Sequence, residues 1–366
     1  MSVKSTVDAK AFSEALRKVS KVLKNCGIPC LNEVHVRFTG EKCVLTGTDL
    51  ETWLTTELPA RGDEFAFVLC RTKDVERACR HFDGGLTLEL SESGDVRHRQ
   101  LRLHLYCGSR GGEFDAQPPE DYPEMDQMEV QTELAVNTAS LLERVERVRY
   151  ATLAPGDHVR ASSTCVQFSG HRVFALDGCR VACDTDKSVS FPQPFLATGE
   201  SLSYLKLLDG EQTTIQMGKR HIRFSDGGRS IRVRAVESEI FNLDQAIPKD
   251  CREEFYVSPR EFLQELAYLK EIAPDTNRPY VRFCGGELSM SVLVHRYHTA
   301  VQVEGRSEIV FGFDLRHMKD ALRQFRKEDR VKIKVASEFS PLVIEAEGRG
   351  DFAMVCPVRL RDELAA

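Results

Sequence analysis

The side chains able to do chemistry are spaced in ways that exclude most of it. The chain carries twelve cysteines. None sits in the C-x-x-C spacing that zinc ribbons and redox sites use. Cys26/Cys30 and Cys179/Cys183 come closest, each C-x3-C without a matching second half, and buried thiols acting as small hydrophobes in a reducing compartment are the expected reading. His295 and His298 in "VHRYHTA" fall on opposite faces if the stretch is a strand, so they are expected as exposed strand histidines and no metal is expected. Asp49 in "LTGTDLE" and Asp177 in "ALDGCR" lie at corresponding points after a strand. A carboxylate accepting local backbone N–H bonds accounts for both.

Phosphate and nucleophile motifs are also missing. No segment fits G-x-x-x-x-G-K-[ST], and "DGEQTTIQMGKRH" has the wrong glycine spacing. G-x-S-x-G and H-E-x-x-H do not occur. "YCGSRGGEF" follows a strand without opening a helix, which points to a hairpin or bulge and away from a phosphate cradle. No catalytic residue and no cofactor is expected.

The elements that must position these groups belong to a soluble globular protein, 42% hydrophobic and 29% charged over 366 residues. That length favours two or three domains. No window approaches the eighteen or more apolar residues of a membrane span, and "MSVKSTVDAKAF" lacks the apolar run of a secretory signal, so a cytoplasmic protein is expected. A net charge of −6 argues against gripping nucleic acid over the whole surface, yet permits a basic stripe on an acidic body.

Internal repeats organise the chain. "EVHVRFTGEKCVLTGTD", "DHVRASSTCVQFSGHRVFALD" and "PYVRFCGGELSMSVLV" each carry a Val-Arg pair, at Val36, Val159 and Val281, expected to open a strand. Upstream of each lies a helix pattern, "AKAFSEALRKVSKVLK", "NTASLLERVERVRYA" and "SPREFLQELAYLKEI". Apolar residues recur at helical intervals at Phe12, Leu16, Val19 and Leu23, and again at Phe262, Leu266, Leu269 and Ala273. Ser258, Pro259 and Glu261 read as an N-cap, an N1 proline and a capping-box glutamate.

Each third holds a second, shorter helix, "TKDVERACRHF", "GESLSYLKLLDG" or "DLRHMKDALRQFR", the last with a stripe of Leu315, Met318, Leu322 and Phe325. Alternating segments such as "LTLEL", "TTIQM", "VKIKVA" and "LVIEAE" mark half-buried strands. The pattern lapses at "AQPPEDYPEMDQ" and "FNLDQAIPKDCREE". The expected fold is α+β, with domains at residues 1–126, 127–252 and 253–366, each made of two β-α-β-β-β-like halves.

The helices carry basic stripes opposite their apolar ones. Lys10, Arg17, Lys21 and Lys24 share a face of the first, interrupted by Glu14; Arg316, Lys319, Arg323 and Arg326 repeat this on the last, and Arg77, Arg80, Arg144 and Arg147 lie on others. If the units close into a ring with helices inward, these stripes become one positive lining that neutralises phosphates without reading bases.

The chain resembles the β subunit of bacterial DNA polymerase III, the sliding clamp family. "VLTGTDLET", "DYPEMD", "ALDGCRVA", "FGFDLRHMKDAL" and "MVCPVRL" fall in the order the family places them, over essentially the whole chain. The resemblance implies a head-to-tail homodimeric ring with sheets outside and helices facing a hole that encircles double-stranded DNA, without sequence preference and without catalysis. It implies tethering of the polymerase III catalytic subunit and other clamp-binding-motif proteins, and a clamp loader that opens the ring. No membrane partner is implied.

In this family partner peptides dock in an apolar cleft between the second and third domains. The matching positions are Leu176, Gly178, Cys179, Arg180, Val181, Ile247, Asp314, His317, Pro341, Val355, Cys356, Pro357, Val358, Arg359 and Leu360. For the ring contact they are Phe114, Ile272 and Ala273. The chain departs from the family at Cys179, often a histidine there, at Ala161 to Ser163, where the family has aromatic and leucine residues, and at Asn242, where a cleft proline is replaced. It also continues past Leu360 as "RDELAA". Two other readings stay open: a clamp paralogue with an altered partner set, and, from another class, a Cys/His metal-dependent enzyme on a repeat scaffold.

Overall fold

A computed structural model describes residues 2–24, 27–93, 100–273, 279–292 and 295–360. Cys26 and the terminal "RDELAA" lie outside them.

The element order is β-α-β-β-β repeated six times. It begins with Ser2–Asp8, helix α1 (Ala9–Val19) and strands His35–Thr39, Lys42–Thr48 and Thr52–Gly62. The other helices are α2 (Thr72–Cys79), α3 (Thr138–Arg149), α4 (Gly199–Leu202), α5 (Pro259–Ile272) and α6 (Leu315–Arg323). The opening strand of each copy pairs into the other copy of its third: Ser2–Asp8 with Gly85–Ser93, and Glu64–Leu69 with His35–Thr39. The same exchange joins Thr132–Asn137 to Gln212–Met217, Phe191–Thr198 to Cys165–Gly170, Glu253–Val257 to Val331–Val335, and Phe311–Asp314 to Tyr280–Cys284.

Two compact units result: residues 1–140 with 201–235, and 141–200 with 236–366. The division runs through the middle third because the strands of that third join two different sheets. In the first unit Thr52–Gly62 pairs with Arg229–Arg234, placing Trp53 opposite Arg232 in a twelve-stranded sheet. In the second, Arg180–Thr185 pairs with Phe352–Val355, placing Val181 opposite Met354 in a nine-stranded sheet. A separate four-stranded sheet runs His295–Ala300, Glu287–Val292, Tyr280–Cys284, Phe311–Asp314.

Helix starts follow local chemistry. Asp8, Asn137, Ser258 and Asp314 each accept a backbone N–H from the first turn, from Ala11, Ser140, Glu261 and Arg316, the usual answer to unpaired N-terminal donors. Glu261 does not close a capping box, since its Oε1 takes the N–H of Gln302 at 3.0 Å. The apolar stripes are buried as their spacing predicts: Phe12, Leu16 and Val19 on α1, Phe262, Leu266 and Leu269 on α5, Leu315, Met318 and Leu322 on α6. Each such side chain contributes about 1.5–3 kcal/mol.

Three expectations need correction. Val159 does not open a strand; a 3₁₀ turn over Ala161–Thr164 intervenes and the strand begins at Cys165. Helix α1 stops at Val19, where the Ser20 hydroxyl bonds back to the Leu16 carbonyl at 2.6 Å and a 3₁₀ turn follows, so Lys21 and Lys24 lie beyond the α-helix. The expected helix in "GESLSYLKLLDG" is a short α4 running into a 3₁₀ segment, Ser203–Leu207.

Candidate functional site

The expected cleft residues lie within the second unit. The site is built around the turn after Arg172–Leu176. Asp177 Oδ1 accepts the N–H groups of Cys179 and Arg180 at 2.9 and 3.0 Å, and Gly178 takes φ +88°, a conformation costly for other residues. The turn aims Arg180 back over the sheet. Its guanidinium pairs with Asp177 at 2.9 Å and with Asp320 of α6 at 2.6 Å, and stands 5.5 Å from the Tyr150 ring centroid. Burial pushes the Tyr150 phenol above its ordinary range, against the opposing pull of the Arg180 charge.

Alternation along the last strand divides its side chains between two cores. Phe352 and Met354 join an apolar cluster with Phe174, Val181, Cys183, Leu243 and Val343, against which Leu176 and Ile247 pack. Ala353 and Val355 point the other way, into the core under α5 and α6. Val355, expected in the cleft wall, is therefore a core residue beneath α5 and α6, and Met354 is the neighbour that faces the Phe174 and Val181 cluster. The period of two in "FAMV" carried that signal.

Beyond Val355 the chain runs along an edge. Cys356 N–H donates to the Cys179 carbonyl at 2.8 Å and Val358 N–H to the Gly312 carbonyl at 2.9 Å. A Cβ at Gly312 would stand 2.5 Å from Leu360 Cδ2 and 2.9 Å from the Val358 oxygen. Only glycine lets the terminal run lie so close. Pro341, Pro357, Val358 and His317 are half-buried and Arg359 is exposed.

Asp314 is buried and occupied as the α6 cap. Burial pushes its carboxyl up, but hydrogen bonds from Arg316 and the His317 and Arg316 charges hold it net below the usual carboxylate range. The structure thus brings Leu176, Val181 and Ile247 into one cluster and Cys179, Arg180 and Cys356 beside one another. Tyr150, Asp320, Gly312 and Met354 were missed, because three of them act through partners far away in sequence.

The basic faces divide in the same way. In the first unit Arg17 and Lys21 are exposed, Lys10 meets Asp83 at 3.0 Å, Lys24 meets Asp49 at 2.8 Å, Arg77 meets Asp74 and Arg80 meets Glu76. Such surface pairs are worth about 0–1 kcal/mol, so a phosphate can displace them. Lys24 and Arg77 also line a cavity of about 430 Å³ with Arg71 and Lys73, two cations that the helix pattern did not single out.

In the second unit Arg316, Arg323 and Arg326 are exposed, while burial and then the charges of Arg323 and Lys270 lower the Lys319 ammonium. Arg144 is corrected. It is buried, its Nε 2.7 Å from Asp184 and its NH2 on the His171 carbonyl at 2.7 Å, so it holds the fold together and faces no ligand. Arg147 is half-buried on the same Asp184, at 2.7 Å. Among the described residues no three His, Cys, Asp or Glu converge as a metal site, and no helix is long and apolar enough to cross a membrane.

No family model matches the chain. Curated relatives do. The β sliding clamp of Pseudomonas aeruginosa is 22% identical over 378 residues, covering 97% of this chain and 99% of that one. The β sliding clamp of Caulobacter vibrioides is 20% identical over 380 residues, covering 98% and 100%. Among solved structures, the polymerase sliding clamp of Caulobacter crescentus superposes with a TM-score of 0.86 at 19% identity, over 98% of this chain and all of that one. A P. aeruginosa clamp bound to griselimycin gives 0.83 at 18%, over 98% and 100%.

Over nearly its whole length the chain is similar to β sliding clamps in sequence, and it shares their fold. Its departures from that family have local reasons. Asn242, where the cleft proline is replaced, caps a 3₁₀ turn by accepting the Asp244 N–H at 3.2 Å. Ala161–Thr164 form the 3₁₀ turn that delays the strand at Cys165.

Two strand edges stand out among the described residues. Arg110–Gln117 pairs along its length with Gln100–Cys107, but with Glu64–Leu69 only at Ala116 and Gln117. His295–Ala300 pairs with Glu287–Val292 and is last in its sheet. Phe114 is half-buried on the first edge strand, whereas Ala273 is buried and Ile272 packs on the core beneath α5.

Proposed function

We propose that the chain is a DNA sliding clamp, a processivity factor that closes as a ring-shaped homodimer around double-stranded DNA and tethers a replicative polymerase through the cleft. The observation that carries this is the near-complete, end-to-end match to β sliding clamps, joined to six copies of one β-α-β-β-β element. The three repeats, residues 1–126, 127–252 and 253–366, are the clamp domains of this reading. In this role the chain tethers and slides and catalyses nothing.

Arg17, Lys21, Arg77, Lys270, Lys319 and Arg323 would meet phosphates without reading bases, giving weak, salt-sensitive contact that permits sliding. The ring would close where the edge strand carrying Glu113, Phe114 and Asp115 meets the edge strand carrying His295, Arg296 and His298 of a second copy, with Ile272 and Ala273 behind it. Two open ladders of opposite charge suit each other. The apolar cluster around Val181 and Met354, rimmed by Arg180 and the terminal run, is suited to a short peptide with apolar anchors. A clamp loader is the partner that would open the ring.

The protein should elute as a dimer and, once loaded, stay on nicked circular DNA and slide off after the circle is cut. A stable monomer, or equal retention on linear DNA, would refute the ring. A second reading, a clamp serving a specialised partner, is favoured by Cys179 and Asn242 in the cleft. Micromolar binding of the replicative polymerase's clamp-binding peptide would remove it.

A further inference from the structure

The ladder that joins Arg180 to Val355 and Val181 to Met354 continues one step, because Cys356 N–H donates to the Cys179 carbonyl at 2.8 Å. Cys179 therefore stands opposite Cys356. Opposed residues on antiparallel strands share a face, with Cα atoms about 4.5–5.5 Å apart. A disulfide spans about 4.4–6.8 Å. Cys179 is exposed, and Cys356 is half-buried with Sγ 3.8 Å from the Gly178 carbonyl.

The first unit repeats this ladder step with other residues. There Arg234 N–H donates to the Glu51 carbonyl at 3.0 Å, and the two side chains meet as an ion pair at 3.3 Å. Side chains at this step reach one another.

We propose that Cys179 and Cys356 are an oxidisable dithiol at the mouth of the cleft, closed to a disulfide by a low-molecular-weight disulfide of the glutathione type and reopened by the matching thiol. Its effect on peptide binding rests on the cleft reading given above; its chemistry does not. The Cys179 thiolate attacks one sulfur of the oxidant, forming a mixed disulfide and releasing one thiolate, which takes up a proton. The Cys356 thiolate then attacks the Cys179 sulfur, forming the Cys179–Cys356 bond and releasing the second thiol. Two electrons and two protons pass to the oxidant.

Burial, then Asp177 and Asp314, raise the Cys179 thiol against the pull of Arg180. Burial, then Cys179 and Asp177, raise Cys356. Thiolate is thus scarce at neutral pH, and closure should accelerate as pH rises. The bond would fasten the Asp177–Arg180 turn to the start of the terminal run, fixing two cleft elements that a peptide must part.

The test uses the full chain in glutathione buffers of rising oxidised fraction. Peptide mass spectrometry should find Cys179 joined to Cys356, with yield rising with pH and none in Cys179→Ser. Buried Cys79 and Cys107 serve as the internal control, since they should stay reduced. Fluorescence anisotropy with a clamp-binding peptide should show at least fivefold weaker binding by the linked form, restored by dithiothreitol and missing from the Cys179→Ser/Cys356→Ser double variant. Failure to find the link under oxidising buffer would overturn the dithiol. A linked protein that binds as the reduced one does would overturn its action on the cleft. Reduced protein that binds no peptide would count against the cleft itself, while the link alone still decides the dithiol.

Discussion

The same hairpin turn occurs in both units with different contents. In the first, Asp49 Oδ1 accepts the N–H groups of Glu51 and Thr52, and its other oxygen meets Lys24. In the second, Asp177 does this for Cys179 and Arg180, and its other oxygen meets Arg180 itself. The residue after the aspartate has positive φ in both, 73° at Leu50 and 88° at Gly178. The backbone device is shared, so it belongs to the repeat. The side chains differ, and they separate a turn that anchors a sheet from one that edges the candidate site.

Removing the aspartates should separate the turns most widely. Asp177→Ala leaves the Cys179 and Arg180 N–H groups without their acceptor and leaves Arg180, only 11% exposed, with Asp320 as its remaining carboxylate. Losing the acceptor of two backbone N–H groups and one side of this enclosed ion-pair network should cost about 3 kcal/mol. Asp49→Ala should cost about 1–2 kcal/mol, because Lys24, 44% exposed, can turn into water. Urea unfolding followed by circular dichroism measures both. Equal losses would mean that the Arg180 network carries no stability of its own.

The apolar floors beneath the turns differ in their response to acid. In the first unit His35 stacks on Tyr122 and Trp53 meets the same ring edge-on, with ring centroids 5.2 and 6.4 Å apart. Burial, then Arg37, lowers the His35 imidazole to about 4. The folded value lies below the ordinary one of about 6.5, so the stability tied to neutral His35 is complete above that pH and is lost as pH falls toward 4. The loss approaches about 3 kcal/mol. In the second unit the titratable group of the floor is Cys183, pushed up to about 12, which does not ionise on that path. His35→Gln should flatten the acid slope of Trp53 fluorescence, and an unchanged slope would show that His35 is not the acid-sensitive group.

Much of the fold was legible because it rests on local pattern. The stripes at Phe12, Leu16 and Val19, the alternation in "LTLEL" and "VKIKVA", and the Asp49 and Asp177 turns each need only neighbouring residues. Arg144 was misplaced because a helical wheel shows that a cation shares a face but not that Asp184, forty positions on, reaches that face. The equal spacing of the Val-Arg pairs also misled. Strands open at His35 and Tyr280 near the first and third pairs, but at Cys165 well after the second. The apolar half of the candidate site could be read from alternation. Its polar half, Arg180 with Asp320 and Tyr150, depended on contacts across long stretches of chain.

The close approach at Gly312 belongs to the second turn's surroundings. Gly312→Ala should drive Leu360 and the Val358 carbonyl outward at a cost of about 1–2 kcal/mol, weakening a clamp-binding peptide about tenfold in anisotropy while helix content stays constant. Unchanged affinity would take the terminal run out of the cleft.

Exchanging the positive-φ residues should give the smallest effect and the sharpest comparison. Leu50 is 48% exposed at φ 73°, so it bears left-handed strain of about 1 kcal/mol that its burial does little to offset. Leu50→Gly relieves the strain but loosens the unfolded chain, so stability should move by less than about 1 kcal/mol in either direction. Gly178→Leu acquires the strain and also sets a bulky side chain beside Cys179 and Arg180, so it should both destabilise by about 1–2 kcal/mol and weaken peptide binding. If Leu50→Gly lowers retention on nicked circular DNA without lowering stability, the exposed leucine is itself a contact surface. The first turn would then be a second recognition element of the repeat.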